Sequence, residues 1–350
     1  MLANTGFICP DSLRFHAMIG GINKKSRSIR NLGFRETFSG VPNMIHSRIT
    51  RRQFIKNAAT AGAVLASTGT AGLASPAART ATDQVTLGET GIRLSRIGIG
   101  TGTNGGNVQR GLGHEKFNDL IRYAYDCGIT YIDTGDTYGT HTWVRDAIKG
   151  LPREKLYIQS KIMFGMWGGN KETPMEILDR FRRELNMDYI DTVLLHCQIA
   201  PDWDEKSKAL RDELEEAKAK KIIRAHGVSC HSLPATAKAA VLEWVDVNLV
   251  RINPQGVNID TPELAVFGTS DASHVPAVTE QMKIMRKNGH GIIGMKLIGE
   301  GAFKDIEERR KSLTWVMQSE LVDAVVLGLE SREQVDEAIM HVNNAFTDQA

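Results

Sequence analysis

The chain has 350 residues and a formal net charge of +2, with 41% hydrophobic and 24% charged residues. Residues 1–56 hold ten Lys/Arg against Asp11 and Glu36, about +8, so the remaining residues carry about −6. The basic character therefore belongs to the leader, and the mildly acidic body argues against nucleic acid as a partner.

Residues 1–43 show neither helical nor strand periodicity and read as an unstructured leader. They set the following arginine pair unusually deep; Met44 would open a more ordinary leader, as in an over-long gene model. Thr50-Arg51-Arg52-Gln53-Phe54-Ile55-Lys56 resembles the twin-arginine export signal, and the uncharged run 58–74 follows it. That run falls short of the roughly 20 strongly apolar residues of a membrane span, so no stable span is expected. Basic head, short apolar stretch and the small residues Gly72 and Ala74 fit a cleavable signal peptide over 44–78. The resemblance implies the twin-arginine export machinery as partner and a periplasmic or otherwise exported location.

The body, 85–350, is long enough for one large domain. "VTLGETGIRLS" (85–95) alternates around Gly-Glu-Thr-Gly and predicts a hairpin that caps a barrel floor. Eight apolar runs follow, at 96–102, 129–133, 156–162, 190–196, 222–229, 245–252, 291–297 and 323–329. Helical stretches separate them, among them "HEKFNDLIRYAYDCG" stopped by Gly128, "PMEILDRFRRELN" from Pro174 and "SREQVDEAIMHVNNAF" from Ser331. Continuous apolar strands alternating with helices mean a parallel sheet covered on its outer face, and eight such units close as a (β/α)8 TIM barrel. A doubly wound sheet is the alternative; against it, "GIGTGTNGG" lacks GxGxxG and a following helix start. Cys9 lies in the leader, while Cys127, Cys197 and Cys230 form no CxxC, so neither a disulfide framework nor a metal site is expected.

In such a barrel, chemistry collects where strands end at the C-terminal face. The second strand ends in Asp133, followed by "TGDTYG" with Tyr138; the third ends in Lys161 and the fourth in His196. Each alone has a structural explanation: a helix cap, a packed ring, a solvated ammonium. Together they form a proton-transfer set. A tyrosine works as a general acid near neutrality when a neighbouring ammonium lowers its pKa by favouring the phenolate. Asp133 is expected to hold Lys161 charged, and His196 to hydrogen-bond a substrate carbonyl oxygen.

At these residues the body resembles the aldo-keto reductase superfamily. "YIDTGDTYG", "SKI", "DTVLLHC", "GVSCHS" and "GLESREQVDEAI" stand in the family's order from about Val85 to Phe346. The resemblance implies that Asp133, Tyr138, Lys161 and His196 are the catalytic tetrad. It implies reduction of small aldehydes or ketones, with hydride from NADP(H) or NAD(H). It places Thr101, Gly102, Asp133, Ser229, Met295, Lys296, Gly328, Ser331, Arg332 and Gln334 at the cofactor. Departures from the family pattern are Cys230 for the usual Asn, Leu249 for a common Gln, and Met295 for a stacking aromatic. Arg332 alone is available to a 2′-phosphate there, and Glu330 opposes it, which leaves the choice between NADP and NAD open. Substrate walls are expected from 103–114, 197–206 and 253–274, with Trp167, Trp203 and Phe267 as apolar liners, and the site is expected to be open because the chain stops soon after the eighth helix. The alternative function is a nicotinamide-binding regulatory or sensing module without significant turnover.

Overall fold

In a computed structural model, residues 79–163 and 171–347 are described. The expected signal peptide at 44–78, the leader before it and Trp167 lie outside the described residues.

A hairpin comes first: β1 (Gln84–Thr86) pairs antiparallel with β2 (Arg93–Ser95). Eight parallel strands then close in sequence order, β3 (Ile97–Gly100), β4 (Tyr131–Asp133), β5 (Tyr157–Ile162), β6 (Ile190–Gln198), β7 (Ile223–Cys230), β8 (Val247–Arg251), β9 (Gly291–Met295) and β10 (Ala324–Leu327), with β10 pairing back onto β3. Every strand overlaps one of the eight apolar runs, β6 running two residues and β7 one residue past its predicted end, and the closed barrel removes the doubly wound alternative. The hairpin does close the floor: buried Leu87, Ile92 and Leu94 share one interior cluster with Tyr131, Tyr157, Val247 and Ile293. Gly88 N–H donates to Asp323, one residue before β10, which fixes the hairpin at the strands' N-terminal ends.

Strand side chains alternate between interior and helix layer, as the two-residue period requires. On β5, Tyr157 belongs to the interior cluster and Lys161 to the mouth, whereas Ile158 and Ile162 join the larger core beneath the helices. After a short α1 (Asn107–Gly111), which lies outside it, that core takes the apolar residues of α2 (His114–Asp126), α3 (His141–Ala147), α4 (Pro174–Leu185), α5 (Trp203–Lys206), α6 (Lys208–Ala219), α7 (Leu233–Val241), α8 (Val275–Lys287), α9 (Ile306–Gln318) and α10 (Arg332–Thr347). The predicted helix signals act as expected. Helix α4 opens on a capping box between Thr173 and Glu176 with Pro174 at its first position, and it ends on Asn186 at φ 54°. Helix α1 lies inside the long loop after β3, a stretch without helical periodicity; it starts from Gly106 at φ 85° without a side-chain cap. Among the described residues no helix is long and apolar enough to cross a membrane.

Candidate active site

A hydrogen-bonded column rises through the barrel to its mouth. Tyr157 OH donates to Thr192 Oγ1 at 2.8 Å, and Gln159 Nε2 donates to Tyr131 OH at 3.0 Å and to Asp133 Oδ1 at 2.8 Å. Above it, Lys161 Nζ lies 2.6 Å from both oxygens of Asp133 and 2.8 Å from the carbonyl of Thr134. An ammonium has three donors, so all three of Lys161 are spent. The pair is buried, at 1% and 7% side-chain exposure.

Tyr138 comes off the strand in a 3-10 turn (Asp136–Tyr138) closed by Gly139 at φ 64°. Its ring rests against Gly102, where a Cβ would stand 2.3 Å from the ring carbons, so only glycine leaves room for it. Arg110 of α1 donates to the Tyr138 carbonyl. The hydroxyl lies 3.2 Å from His196 Nε2, and the two rings meet edge to face. Lys161 Nζ lies 4.9 Å from the centre of the Tyr138 ring. His196 is aimed by a register shift of β6 against β7 between Leu195 and Gln198, and Cys197 adopts φ 61° within it.

All four expected tetrad residues therefore meet at one mouth. The electrostatics differ from the expectation in one respect. Burial, followed by the Asp133 charge, raises the Tyr138 hydroxyl well above the usual tyrosine value. Lys161 does not lower it, because its charge is compensated by Asp133 at 2.6 Å and it has no donor left. Burial also lowers Lys161 against the opposing pull of Asp133. His196 is held well below the ordinary histidine value by burial and then by the Lys161 charge, so its ring is neutral near pH 7.

A cavity of about 490 Å³ runs from this mouth to α10. Asp133, Tyr138, Lys161, Gly102, Met295, Lys296, Gly328 and Gln334 line it, eight of the residues expected at the catalytic or cofactor site. Ser229 is 1% exposed, its Oγ has no hydrogen-bond partner, and it does not line the cavity. At Gly328 a Cβ would stand 1.9 Å from Thr103 Oγ1, which explains the glycine by close approach of two loops. Ser331 and Gln334 cap α10: Gln334 N–H donates to Ser331 Oγ at 3.3 Å, and Glu330 N–H to Gln334 Oε1 at 2.8 Å.

Other expected residues point elsewhere. Thr101 is fully buried with its hydroxyl 3.0 Å from the Asp133 carbonyl and 2.8 Å from Thr140 Oγ1, so it braces the strand end. Arg332 turns to the surface, over the Tyr123 ring and 4.0 Å from Asp119. Lys304 and Arg309 are the cations at that end of the cavity, and Arg309 is taken up by Glu337 at 2.6 and 2.9 Å. Trp203 is 1% exposed and packs in the core with Nε1 on the Ala235 carbonyl, so it is no substrate wall. Phe267 stands 81% exposed. Cys230 belongs to the helix-side core rather than the cavity.

Sequence reading missed the residues that join loops across the mouth. Glu300 accepts from Lys296 at 2.6 Å and from Asn104 N–H at 3.2 Å. Buried Arg251 pairs with Asp260 and donates to the His231 carbonyl, while His231 Nδ1 lies 2.8 Å from the Val266 carbonyl and 3.0 Å from Cys197 Sγ. These contacts pin the long loop after β8. No periodicity marks them; a buried-charge partner far along the chain leaves no local signal.

An eight-stranded parallel barrel with ionisable groups converging at its C-terminal mouth has the architecture of a barrel enzyme. Residues 96–313 match the aldo/keto reductase family. The chain belongs to that family, and it is an oxidoreductase that uses a nicotinamide cofactor. It is similar to the L-glyceraldehyde 3-phosphate reductase of Escherichia coli O157:H7, at 23% identity over 73% of this chain and 86% of the relative. Among solved structures, it is similar in fold to a putative aldo-keto reductase from Pseudomonas aeruginosa, with TM-score 0.61 and 22% identity over 76% of this chain and 96% of the other. An aldo-keto reductase from Klebsiella pneumoniae in complex with NADPH matches with TM-score 0.56 and 20% identity, over 75% and 90% of the two chains.

Proposed function

We propose that this protein reduces small aldehydes or ketones to alcohols, with Tyr138 as the general acid. The observation that carries the reading is the Tyr138 hydroxyl, 3.2 Å from His196 Nε2 in the cavity shared with Asp133 and Lys161. The nicotinamide supplies hydride to the carbonyl carbon when bound. The chain's own residues manage the oxygen: neutral His196 directs a hydrogen bond toward it, and Tyr138, kept protonated by burial, gives up its proton. Lys161 stands 4.9 Å from the centre of the Tyr138 ring, and Asp133 holds it there through the buried ion pair.

The residues present fit a dinucleotide. In the cavity, Met295 offers a polarizable apolar surface and Lys296 a partly desolvated ammonium. Arg332 turns away from the cavity and Glu330 lines it, so both NADPH and NADH belong in the assay. For location, the reading rests on Thr50–Lys56 alone: the leader directs twin-arginine export, and the barrel folds around its dinucleotide before it leaves the cytoplasm.

The test is oxidation of NADPH and NADH by the purified protein against a panel of aldehydes, quinones and keto sugars, with Tyr138→Phe as control. The control is expected to lose roughly 10²- to 10⁴-fold in turnover while its dinucleotide affinity stays near the parent's. Parental turnover in Tyr138→Phe would overturn the assignment.

A further inference from the structure

Outside the cavity, a polar network reaches the turn that carries Tyr138. Asp136 stands two residues before Tyr138 and faces the helix layer, where Arg180 of α4 grips it with both guanidinium ends, Nη1 to Oδ1 at 2.8 Å and Nη2 to Oδ2 at 3.2 Å. The same guanidinium lies 3.0 Å from both oxygens of Glu172 and 3.3 Å from Glu184 Oε1. Glu184 Oε2 continues to His141 Nδ1 at 2.7 Å, and His141 Nε2 to Ser160 Oγ at 2.9 Å. Ser160 directly precedes Lys161 on β5, and His141 lies three residues beyond Tyr138.

Ser160, His141 and Glu184 have the order of a nucleophile, a base and an orienting acid. They do not form a second catalytic site, since Ser160 is fully buried on the outer face of β5 and does not line the mouth cavity. Their geometry suits a brace instead. A bidentate guanidinium fixes angle as well as distance. Here it fixes the outward end of a three-residue turn whose inward end is the Tyr138 ring.

We infer that Arg180 is a positioning residue for carbonyl reduction: through Asp136 it sets the pitch of the Tyr138 turn, and through Glu184, His141 and Ser160 it ties that turn to the strand that carries Lys161. The inference rests on Tyr138 as the general acid. It explains why a helix-layer arginine only 25% exposed gathers three carboxylates beside the mouth yet touches no ligand space. Glycines flank the turn at 135 and 139, so its own backbone supplies little stiffness. The stiffness comes from Arg180 on the outside, with Arg110 on the Tyr138 carbonyl.

The experiment uses the full chain with three changes, Arg180→Met, Asp136→Asn and Tyr138→Phe, alone and with each of the first two combined with the third. Displacing a reacting group by about 1 Å can cost about 100-fold, so Arg180→Met and Asp136→Asn are each expected to lower kcat by about 10- to 100-fold. Dinucleotide affinity, read by fluorescence titration, should stay within about twofold, because neither residue lines the cavity. In the Tyr138→Phe background the same changes should cost nearly nothing, since a group that acts through Tyr138 has nothing left to position. Equal fold-losses with and without the tyrosine hydroxyl would show a general structural role and overturn the inference. So would parental kcat in Asp136→Asn, a variant that keeps side-chain size should Arg180→Met fold poorly. Loss of activity in Tyr138→Phe alongside parental Arg180→Met would remove this inference and leave the proposed function standing; parental activity in Tyr138→Phe would remove both.

Discussion

Asp133→Asn isolates the buried ion pair that supports the mouth. The replacement keeps the shape of the side chain and an acceptor for Gln159 Nε2, now 2.8 Å from Oδ1, but leaves Lys161 with one neutral side-chain partner and the Thr134 carbonyl. Breaking a buried pair by removing one member costs about 3–5 kcal/mol. With exposures of 1% and 7% for Lys161 and Asp133, solvent screening offers little relief. At about 2–4 °C per kcal/mol for a domain of this size, the melting temperature should fall by about 10 °C near pH 6. The pH dependence follows from the direction in which Lys161 is already shifted. Burial depresses its folded-state pKa below that of the unfolded chain, and Asp133 opposes that depression. Without Asp133 the depression deepens. A lysine depressed in the folded state costs stability while it is protonated, and the cost is relieved as pH rises through the folded pKa toward the unfolded one. The gap between variant and parent should therefore be widest near pH 6 and narrow by pH 9. Scanning calorimetry at both pH values measures it, with Asp133→Asn/Lys161→Met closing the cycle. The double variant should recover more than half of the loss, because it leaves no unpaired charge. A single variant within about 1 kcal/mol of the parent at pH 6, or a gap that does not change with pH, would refute the reasoning.

Three further outcomes are expected. The pH profile of kcat/KM for reduction should stay flat across neutrality: Tyr138 is raised, so its proton is lost only in the alkaline range, and His196 is lowered, so it gains one only in the acid range; between about pH 6 and 8, a rising limb would contradict the His196 direction and a falling one the Tyr138 direction. Glu300→Gln should tighten NADPH and NADH binding several-fold and steepen its salt dependence, since Lys296 loses the carboxylate 2.6 Å away; isothermal titration at two ionic strengths checks this, and an unchanged Kd would separate Lys296 from the dinucleotide. Replacing Arg51 and Arg52 together by Lys should retain the precursor in the cytoplasm with its activity intact. Cell fractionation and native mass spectrometry of gently released protein give the readout, and equal export, or exported protein without dinucleotide, would break the proposed link between leader and barrel.

The barrel was legible because its signals are local. Each strand is a short apolar run bounded by turn residues, and helices such as α4 carry their caps in sequence, from Thr173-Pro174 to Asn186. The convergence of Asp133, Lys161 and His196 was legible for the same reason: residues at the C-terminal end of a strand lie at the mouth wherever the strand sits, although β5 and β6 run one and two residues past Lys161 and His196. Tyr138 needed its motif, since a residue five positions past a strand end has no periodicity to place it. What the sequence hid are pairings between distant loops and the direction of a side chain within a loop. Arg180 with Asp136 and Lys296 with Glu300 join residues whose neighbourhood exists only after folding. Trp203 and Arg332 were placed by position along the chain, and tertiary packing turned one into the core and the other onto Tyr123. The expected fall in the Tyr138 pKa failed because a charge's influence depends on whether its own partner has already compensated it.

The polar column beneath the mouth has a bearing on how this enzyme can change over generations. Gln159 uses one amide end for Tyr131 and Asp133 and the other for Tyr157, whose hydroxyl lies 3.3 Å from Oε1, so neither its orientation nor its identity is free to drift. A glutamate there would place a second carboxylate against Asp133 and turn the ion pair into two acids that share a proton. The side chains on which proton handling depends are thus mostly anchored in strands and interlocked, whereas the loops 197–206 and 253–274 contribute none of the column's contacts. Selection for a new carbonyl compound can rewrite the remaining positions of those loops while Cys197, Trp203 and Asp260, which shape or pin the mouth, stay with the interior lattice, and a library confined to those positions is where altered specificity should be sought.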